Sequence, residues 1–126
     1  MGRLKLVLLF FFIVCLILGL FFFEGNPKKQ RMQTTSHSLA GVGRAIYLFK
    51  EKFNRYPKDL DELAPPEGDF IYPTARILDA WEQPIIYKYT PTESKTFKLY
   101  SIGENNKDES GDGDDLNFWR LKIKIQ

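Results

Sequence analysis

The sequence predicts an α+β fold in which a long N-terminal helix, part membrane-spanning and part amphipathic, packs on a small antiparallel sheet of about three strands. Three observations predict it: an apolar run at residues 6–23, helical spacing of apolar residues within 34–54, and three later segments that alternate apolar and polar side chains. The 126 residues then divide into a basic flank (1–5), a transmembrane anchor (6–23), a linker (24–33) and one globular domain (34–126).

The apolar run at residues 6–23 contains no charged or strongly polar side chain. At ~1.5 Å per residue, a helix of this length spans roughly 27 Å, close to the ~30 Å hydrocarbon core of a bilayer. The run exceeds the ~7–15 apolar residues of a secretory signal peptide, and no pair of small residues marks a cleavage site after it. The sequence therefore predicts a retained single-pass anchor. Basic residues flank both of its ends in nearly equal number, so charge does not fix its orientation.

One apolar stripe predicts an amphipathic helix from about Thr34 to Asn54. Apolar side chains recur there every three or four positions, at Leu39, Val42, Ile46, Phe49 and Phe53. Glycine is a poor helix former, so Gly41 and Gly43 weaken this helix near its start. We expect the stripe to pack in the core.

Alternating segments after the helix predict three strands. Residues 85–89 and 97–101, joined by a turn through Pro91–Lys95, form an antiparallel hairpin. In residues 119–125, apolar side chains face one way and basic side chains face the other. That pattern predicts a third strand, in a sheet with one face open to water.

Composition excludes several classes of function. A net charge of +2 is too small to indicate nucleic-acid binding. The single cysteine, Cys15, lies in the apolar run, and the single histidine, His37, lies in a polar stretch. One chain therefore holds no disulfide and no thiolate metal site, and its folded domain holds no Cys–His or His–His pair.

Residues 104–115 concentrate negative charge, because six carboxylates stand there against Lys107 alone and give a net charge of −5. Calcium takes six to eight oxygen ligands from carboxylates, amides and carbonyls on a chain that bends sharply, and this segment supplies oxygens and glycines. A solvated acidic loop is the alternative. An EF-hand does not fit, since Trp119 stands where its last glutamate is due. Ligation by oxygen alone disfavours zinc.

Motifs in a fixed order carry a family resemblance. They are Arg55-Tyr56-Pro57 after the helix, Asp79-Ala80-Trp81-Glu82-Gln83-Pro84, Leu99-Tyr100-Ser101-Ile102-Gly103, and a closing Gly113-Asp114-Asp115-Leu116. The set covers about residues 34–118 and resembles the C-terminal domain of the G-type (major) pseudopilin of type II secretion.

The resemblance implies a structural calcium ion in the last loop. Carried over residue by residue, the ligands are the Ile102 carbonyl and the side chains of Asn105, Asp112, Asp114 and Asp115. Asn105 stands where the family usually has aspartate, which removes a charge but keeps an oxygen. The N-terminus departs from the family, because no second apolar run follows Glu24 as it would after a prepilin cleavage site.

The resemblance further implies a non-enzymatic, membrane-anchored structural or assembly protein of a type II secretion or pilus-like system. Its partners would be the membrane and other pseudopilin-like or secretion-system proteins, with self-association left open and no nucleic acid. We expect the inner (cytoplasmic) membrane, with the globular domain periplasmic or extracellular. An envelope-anchored binding or accessory module that has the fold but does not polymerise is the alternative. A hydrolase is disfavoured, since no nucleophile–base pair accompanies the carboxylates.

Overall fold

The computed structural model describes residues 2–22, 25–64 and 77–122. By its internal contacts the chain forms two units, Met1–Gln30 and Arg31–Gln126. The predicted α+β fold is confirmed: a helical N-terminal half precedes a three-stranded antiparallel sheet. The twelve residues 65–76 and residues 123–126, which include the end of the third predicted strand at 119–125, lie outside the described residues.

Helix α1 (Gly2–Phe22) is built almost entirely from apolar side chains. At ~1.5 Å per residue, its 21 residues extend about 31 Å. The segment Gly2–Leu20 is long and apolar enough to cross a bilayer, and none of it is buried within the protein. In water such a surface would be costly to expose, so a lipid environment suits this helix.

Helix α2 (Pro27–Phe53) begins seven residues earlier than the sequence predicted. Residues 27–33, which belong to the predicted linker over 24–33, are therefore helical. Asn26 caps the helix, because its Oδ1 accepts the Lys28 N–H at 3.1 Å and the Lys29 N–H at 3.4 Å. Proline suits the first helical position. The helix ends where Asn54 takes the left-handed conformation, with φ 53°.

The predicted apolar stripe of α2 packs in the core, with one exception. Leu39, Val42, Ile46 and Phe49 are buried, whereas Phe53, the last residue of the helix, is about half exposed. Phe53 instead lies against the Phe49 ring, with 4.5 Å between ring centroids. The stripe meets apolar side chains from the sheet and its connections, namely Leu63, Ile77, Ile85, Phe97, Leu99 and Phe118.

Strands β1 (Ile86–Tyr89) and β2 (Phe97–Ser101) form the predicted hairpin. Their antiparallel register pairs Ile86 with Tyr100 and Tyr89 with Phe97. Because side chains alternate along a strand, Phe97, Leu99 and Ser101 share one face of β2 and Tyr100 lies on the other. Phe97 and Leu99 belong to the core that contains the α2 stripe.

The third strand differs from its prediction. Strand β3 is the pair Leu116–Asn117, which pairs with Ser101 and Tyr100 of β2. The expectation of a strand at residues 119–125 is wrong where the structure describes it, since Phe118–Arg120 form a 3₁₀ turn. Trp119 belongs to that turn because its indole N–H donates to the Phe97 carbonyl at 2.8 Å and its ring packs on Phe97.

A close approach between α2 and this 3₁₀ turn explains one glycine that sequence reasoning counted as a weakness. A Cβ on Gly43 would lie within 2.8 Å of three atoms of the Phe118 ring. Real Cβ atoms do not approach aromatic carbons so closely. Because Gly43 has no side chain, the Phe118 ring can pack directly against the helix at this position, which we call the Gly43 notch.

We expect Gly43→Ala to destabilise the protein by about 1–3 kcal/mol through overpacking, although alanine is the better helix former. Denaturant unfolding of the full chain in detergent micelles measures the change. Thr34→Ala, at an exposed position of the same helix, should change stability by less than about 0.5 kcal/mol. In a Phe118→Leu background the cost of Gly43→Ala should fall. An undiminished cost there would contradict the notch.

Candidate metal centre

The acidic loop, residues 102–115, connects β2 to β3 and covers the outer face of the sheet around Tyr100. Tyr100 is fully buried although its side chain points away from the core. A Cβ on Gly111 would lie 3.4 Å from the Tyr100 ring, so the backbone of the loop rests on that ring. The expectation of a fully water-exposed outer face is therefore wrong at this position. The loop therefore packs on an aromatic ring as well as carrying acidic side chains.

Asp115 is the buried carboxylate of the loop, with a relative exposure of 7%. Its Oδ2 accepts the backbone N–H groups of Glu109 at 3.0 Å and Gly111 at 2.9 Å. Its Oδ1 is also buried and has no hydrogen-bond partner. A buried polar atom without a partner costs roughly 1–3 kcal/mol, and more when the group is charged. An additional electropositive partner would remove this cost.

Two further carboxylates gather around Asp115. Ligand oxygens of Glu109, Asp114 and Asp115 all lie within 4.8 Å of one another. Glu109 is held in place because its Oε2 accepts the Asp114 backbone N–H at 3.0 Å. Asp114 Oδ1 in turn accepts a hydrogen bond from the Asn105 side-chain amide. Three carboxylates so close together repel one another unless a cation lies between them.

The structure brings most of the sequence-predicted ligands together and leaves one of them, Asp112, apart. Asp114 and Asp115 belong to the carboxylate cluster, and Asn105 contacts it through Asp114. The Asn105 Oδ1 accepts the Lys107 N–H at 2.8 Å, which is an Asx turn within the loop. The backbone that follows Ile102 is also close, since a Cβ on Gly103 would lie 3.1 Å from the Asp114 carbonyl oxygen.

Asp112 does not join the cluster. Its carboxylate forms an ion pair with Arg120, and both side chains are largely exposed to solvent. The three grouped carboxylates do not include it. Its assignment as a ligand stays a prediction that this arrangement does not favour.

Glu109 is a candidate ligand that sequence reasoning missed. Its carboxylate occupies the space beside Gly113, where a Cβ would lie within 2.8 Å of three carboxylate atoms of Glu109. Gly113 also has a positive φ of 56°, which glycine adopts without strain. A glutamate four residues before a glycine in an acidic segment is the only signal in the sequence, and it is weak.

The residues present fit a hard divalent cation. The grouped atoms are all oxygens, the ligand type that calcium prefers, and the buried Asp115 Oδ1 lacks a partner. A cation there would be held by Glu109, Asp114 and Asp115. It would supply positive charge to offset their repulsion and would join the middle of the loop to its end.

A second contact secures the middle of the loop. The Tyr100 hydroxyl donates to Asp108 Oδ1 at 2.9 Å, and the same oxygen accepts the Ser110 N–H at 2.8 Å. These donors lower the pKa of Asp108, the Ser110 N–H more than the Tyr100 hydroxyl. Burial, reinforced by the bond to Asp108, raises the pKa of Tyr100 to about 12. We refer to this pair as the Tyr100–Asp108 clasp.

The fold and the loop together define a class of protein: an α+β domain in which a long helix packs on a small antiparallel sheet and an acidic loop follows the second strand. The family model for type II secretion system (T2SS) protein G matches residues 23–119, and the chain belongs to this family. The match begins directly after α1 and extends through Trp119. No curated protein and no solved structure matches the chain. Pseudopilins of this family are structural proteins rather than enzymes.

The clasp predicts a pH dependence of loop order. Because the folded state lowers the pKa of Asp108, the clasp is complete above that group's unfolded pKa of about 3.9 and is lost as pH falls through the lower folded value. Because the folded state raises the pKa of Tyr100, its contribution is complete below about pH 10 and is lost as pH rises through about 12.

Amide exchange of Ser110, measured by NMR on the full chain in micelles, reports the clasp. Tyr100→Phe should accelerate that exchange at pH 7, after correction for the intrinsic pH dependence of exchange. The difference between variant and parent should shrink as pH falls through the lowered pKa of Asp108. An equal difference above and below that pKa would contradict the assigned role of the Asp108 carboxylate.

Proposed function

We propose that this protein is a membrane-anchored structural subunit of a type II secretion or pilus-like system, with a pseudopilin domain whose acidic loop binds calcium. The family match supports the secretion role, and the apolar helix α1 supports the anchor. The observation that carries the calcium site is the buried, unpartnered Asp115 Oδ1 beside two further carboxylates. The proposed ligands are Glu109, Asp114 and Asp115, with oxygens from Asn105 and the Ile102 carbonyl as further candidates.

The proposal places α1 in the inner membrane and the globular domain on its outer side. Calcium outside the cytoplasm reaches millimolar concentrations, which suits a loop of modest affinity, because extracellular calcium modules bind with Kd values of about 10⁻⁴–10⁻³ M. The partners would be other secretion-system proteins and further copies of this chain. We propose no catalytic role for the carboxylates, since Asp115 is committed to two backbone N–H groups.

Calcium should stabilise the full chain in detergent micelles. At ten times Kd, a single site adds about 1.4 kcal/mol, which raises the melting temperature of a domain of this size by roughly 6–11 °C. Asp115→Asn should abolish the rise while preserving the fold. The asparagine Oδ1 still accepts from Glu109 and Gly111, but a side-chain NH₂ replaces the second ligand oxygen. Thermal unfolding with calcium titration measures the effect.

Asp112→Asn is the matched control. It removes the same charge from the same loop, but from a side chain paired with Arg120 outside the cluster. The calcium-dependent rise should persist in this variant. An equal rise in the Asp115→Asn and parent proteins would contradict the site, and so would loss of the rise only in Asp112→Asn.

One observation favours the second candidate, an accessory module that does not polymerise. Helices α1 and α2 are separate, because Gly25 and Asn26 are not helical and Asn26 caps α2. This break in helicity at Gly25 and Asn26 supports the accessory module, because assembly through one continuous N-terminal helix would need both residues to be helical.

Crosslinking in native membranes separates the two candidates. With photoreactive residues at the exposed positions Leu48 and Lys52 of α2, the structural-subunit proposal predicts crosslinks between copies and to other secretion-system proteins. Crosslinks only to proteins outside that system, with no product between copies, would favour the accessory module. A residue at exposed Glu93, in the hairpin turn, serves as the control for nonspecific capture.

A further inference from the structure

The second buried carboxylate among the described residues, Asp79, lies outside the acidic loop. Asp79 is 6% exposed, and it opens the turn that bridges Leu78 and Pro84 before β1. Its Oδ1 accepts the backbone N–H groups of Trp81 and Gln83, both at 2.9 Å. Its Oδ2 accepts the hydroxyl of Ser101, the last residue of β2. Unlike Asp115, both of its oxygens have donors.

Ser101 connects the Asp79 carboxylate to the start of the loop through hydrogen bonds. The Ser101 side chain is fully buried, and its Oγ accepts the Gly103 N–H at 3.1 Å while it donates to Asp79. A hydroxyl has one proton and accepts through its lone pairs, so the bond to Asp79 orients it toward Gly103. Gly103 in turn lies against the Asp114 carbonyl, where a Cβ would be 3.1 Å away. Asp79 is therefore connected to a cluster residue through two hydrogen bonds and one packing contact.

The same turn is attached to helix α2. The Thr35 side chain is fully buried, and its Oγ1 accepts the Ala80 N–H at 3.0 Å. Ala80 directly follows Asp79 in the chain. One short segment therefore joins the first half of α2 to the acidic loop, and the Asp79 carboxylate is its central group.

We propose that Asp79 is a positioning residue for the loop, and that this hydrogen-bond chain couples cation binding in the loop to the attachment of the 79–83 turn on helix α2. The proposal rests on the calcium site proposed above. Because the Gly103 backbone packs against the Asp114 carbonyl, fixing Gly103 holds Asp114 and its neighbour Asp115 in position beside Glu109. Because coupling between two equilibria is reciprocal, a cation that orders the loop must also strengthen the Thr35–Ala80 contact.

Ser101→Ala is the cleanest test, since it removes the connection while the Asp79 Oδ1 keeps both of its turn hydrogen bonds. Outer hydrogen-bond partners of metal sites commonly contribute tenfold or more to affinity. We expect calcium to bind Ser101→Ala about tenfold more weakly than the parent chain, by calorimetry on the full chain in micelles. Ser101→Thr keeps the hydroxyl and should restore affinity to within about threefold of the parent.

Thr90→Ala is the matched control. Like Ser101, Thr90 has a hydroxyl that donates a hydrogen bond, in this case to the Lys95 carbonyl at 2.8 Å, but it lies in the hairpin turn at the opposite end of β2 from the loop. Its removal should leave calcium affinity unchanged. Equal affinity in the parent and Ser101→Ala proteins would overturn the positioning role and leave the calcium site intact.

A second readout separates failure of this inference from failure of the calcium site. In the parent protein, saturating calcium should slow hydrogen exchange of the Ala80 amide, and Ser101→Ala should remove that slowing. If calcium protects the loop amides but not Ala80, the coupling is overturned while the site stands. If the parent binds no calcium, exchange of the Gly103 amide without the ion still decides the positioning role. Faster exchange there in Ser101→Ala, but not in Thr90→Ala, supports it, and unchanged exchange overturns it.

Discussion

The Asp115 carboxylate governs how the acidic loop is built, because it is buried with two backbone N–H groups on one oxygen and no partner on the other. The two donors come from Glu109 and Gly111, so the side chain near the end of the loop fixes the conformation of its middle. The Glu109 carboxylate in turn accepts the Asp114 N–H, which brings a second carboxylate close to that of Asp115. The geometry that orders the backbone also gathers three carboxylates and leaves the buried Asp115 Oδ1 without a hydrogen-bond partner.

The two buried carboxylates, Asp79 and Asp115, differ in whether hydrogen bonds satisfy both of their oxygens. Asp79 receives three donors and closes a turn without any need for a cation. Asp115 receives two donors on a single oxygen and stands beside Glu109 and Asp114. A buried charge is tolerated when its hydrogen bonds are complete, and it otherwise calls for a counter-charge. The comparison within one chain therefore favours a structural role for Asp79 and a cation-binding role for Asp115.

Packing in the rest of the domain fixes the position of the loop. Packing of the α2 stripe against Phe97 and Leu99 fixes β2, and the opposite face of β2 presents Tyr100 as the surface on which the loop rests. The Gly43 notch lets Phe118 sit close to α2, which places the chain after β3 and so the end of the loop. In this chain the helix α2 therefore positions the sheet, and the sheet positions the acidic loop.

Periodicity predicted the parts of this fold that are held by regular burial. The spacing of Leu39 to Phe49 indicated the buried face of α2, and the alternation in 97–101 indicated β2. The early start of α2 was missed because residues 27–33 are polar and have no apolar stripe, although the Asn26-Pro27 pair is a helix-start signal. The alternation after Trp119 was misleading, because Phe118 and Trp119 both pack inward through tertiary contacts that no period describes.

The candidate site could be predicted only in part. Acidic composition and family resemblance indicated Asp114 and Asp115, which carry the cluster. Glu109 was missed because its place depends on the space beside Gly113, and Asp112 was included because its pairing with Arg120, eight positions later, leaves no mark in the sequence.

The most direct measurement is the carboxyl ¹³C resonance of Asp115 in the full-length protein, followed by NMR as calcium is added. We expect that resonance to move and saturate together with those of Glu109 and Asp114, while the Asp112 resonance stays in place. An Asp115 resonance that does not respond at millimolar calcium would show that its buried oxygen needs no cation, and the central claim would then be wrong.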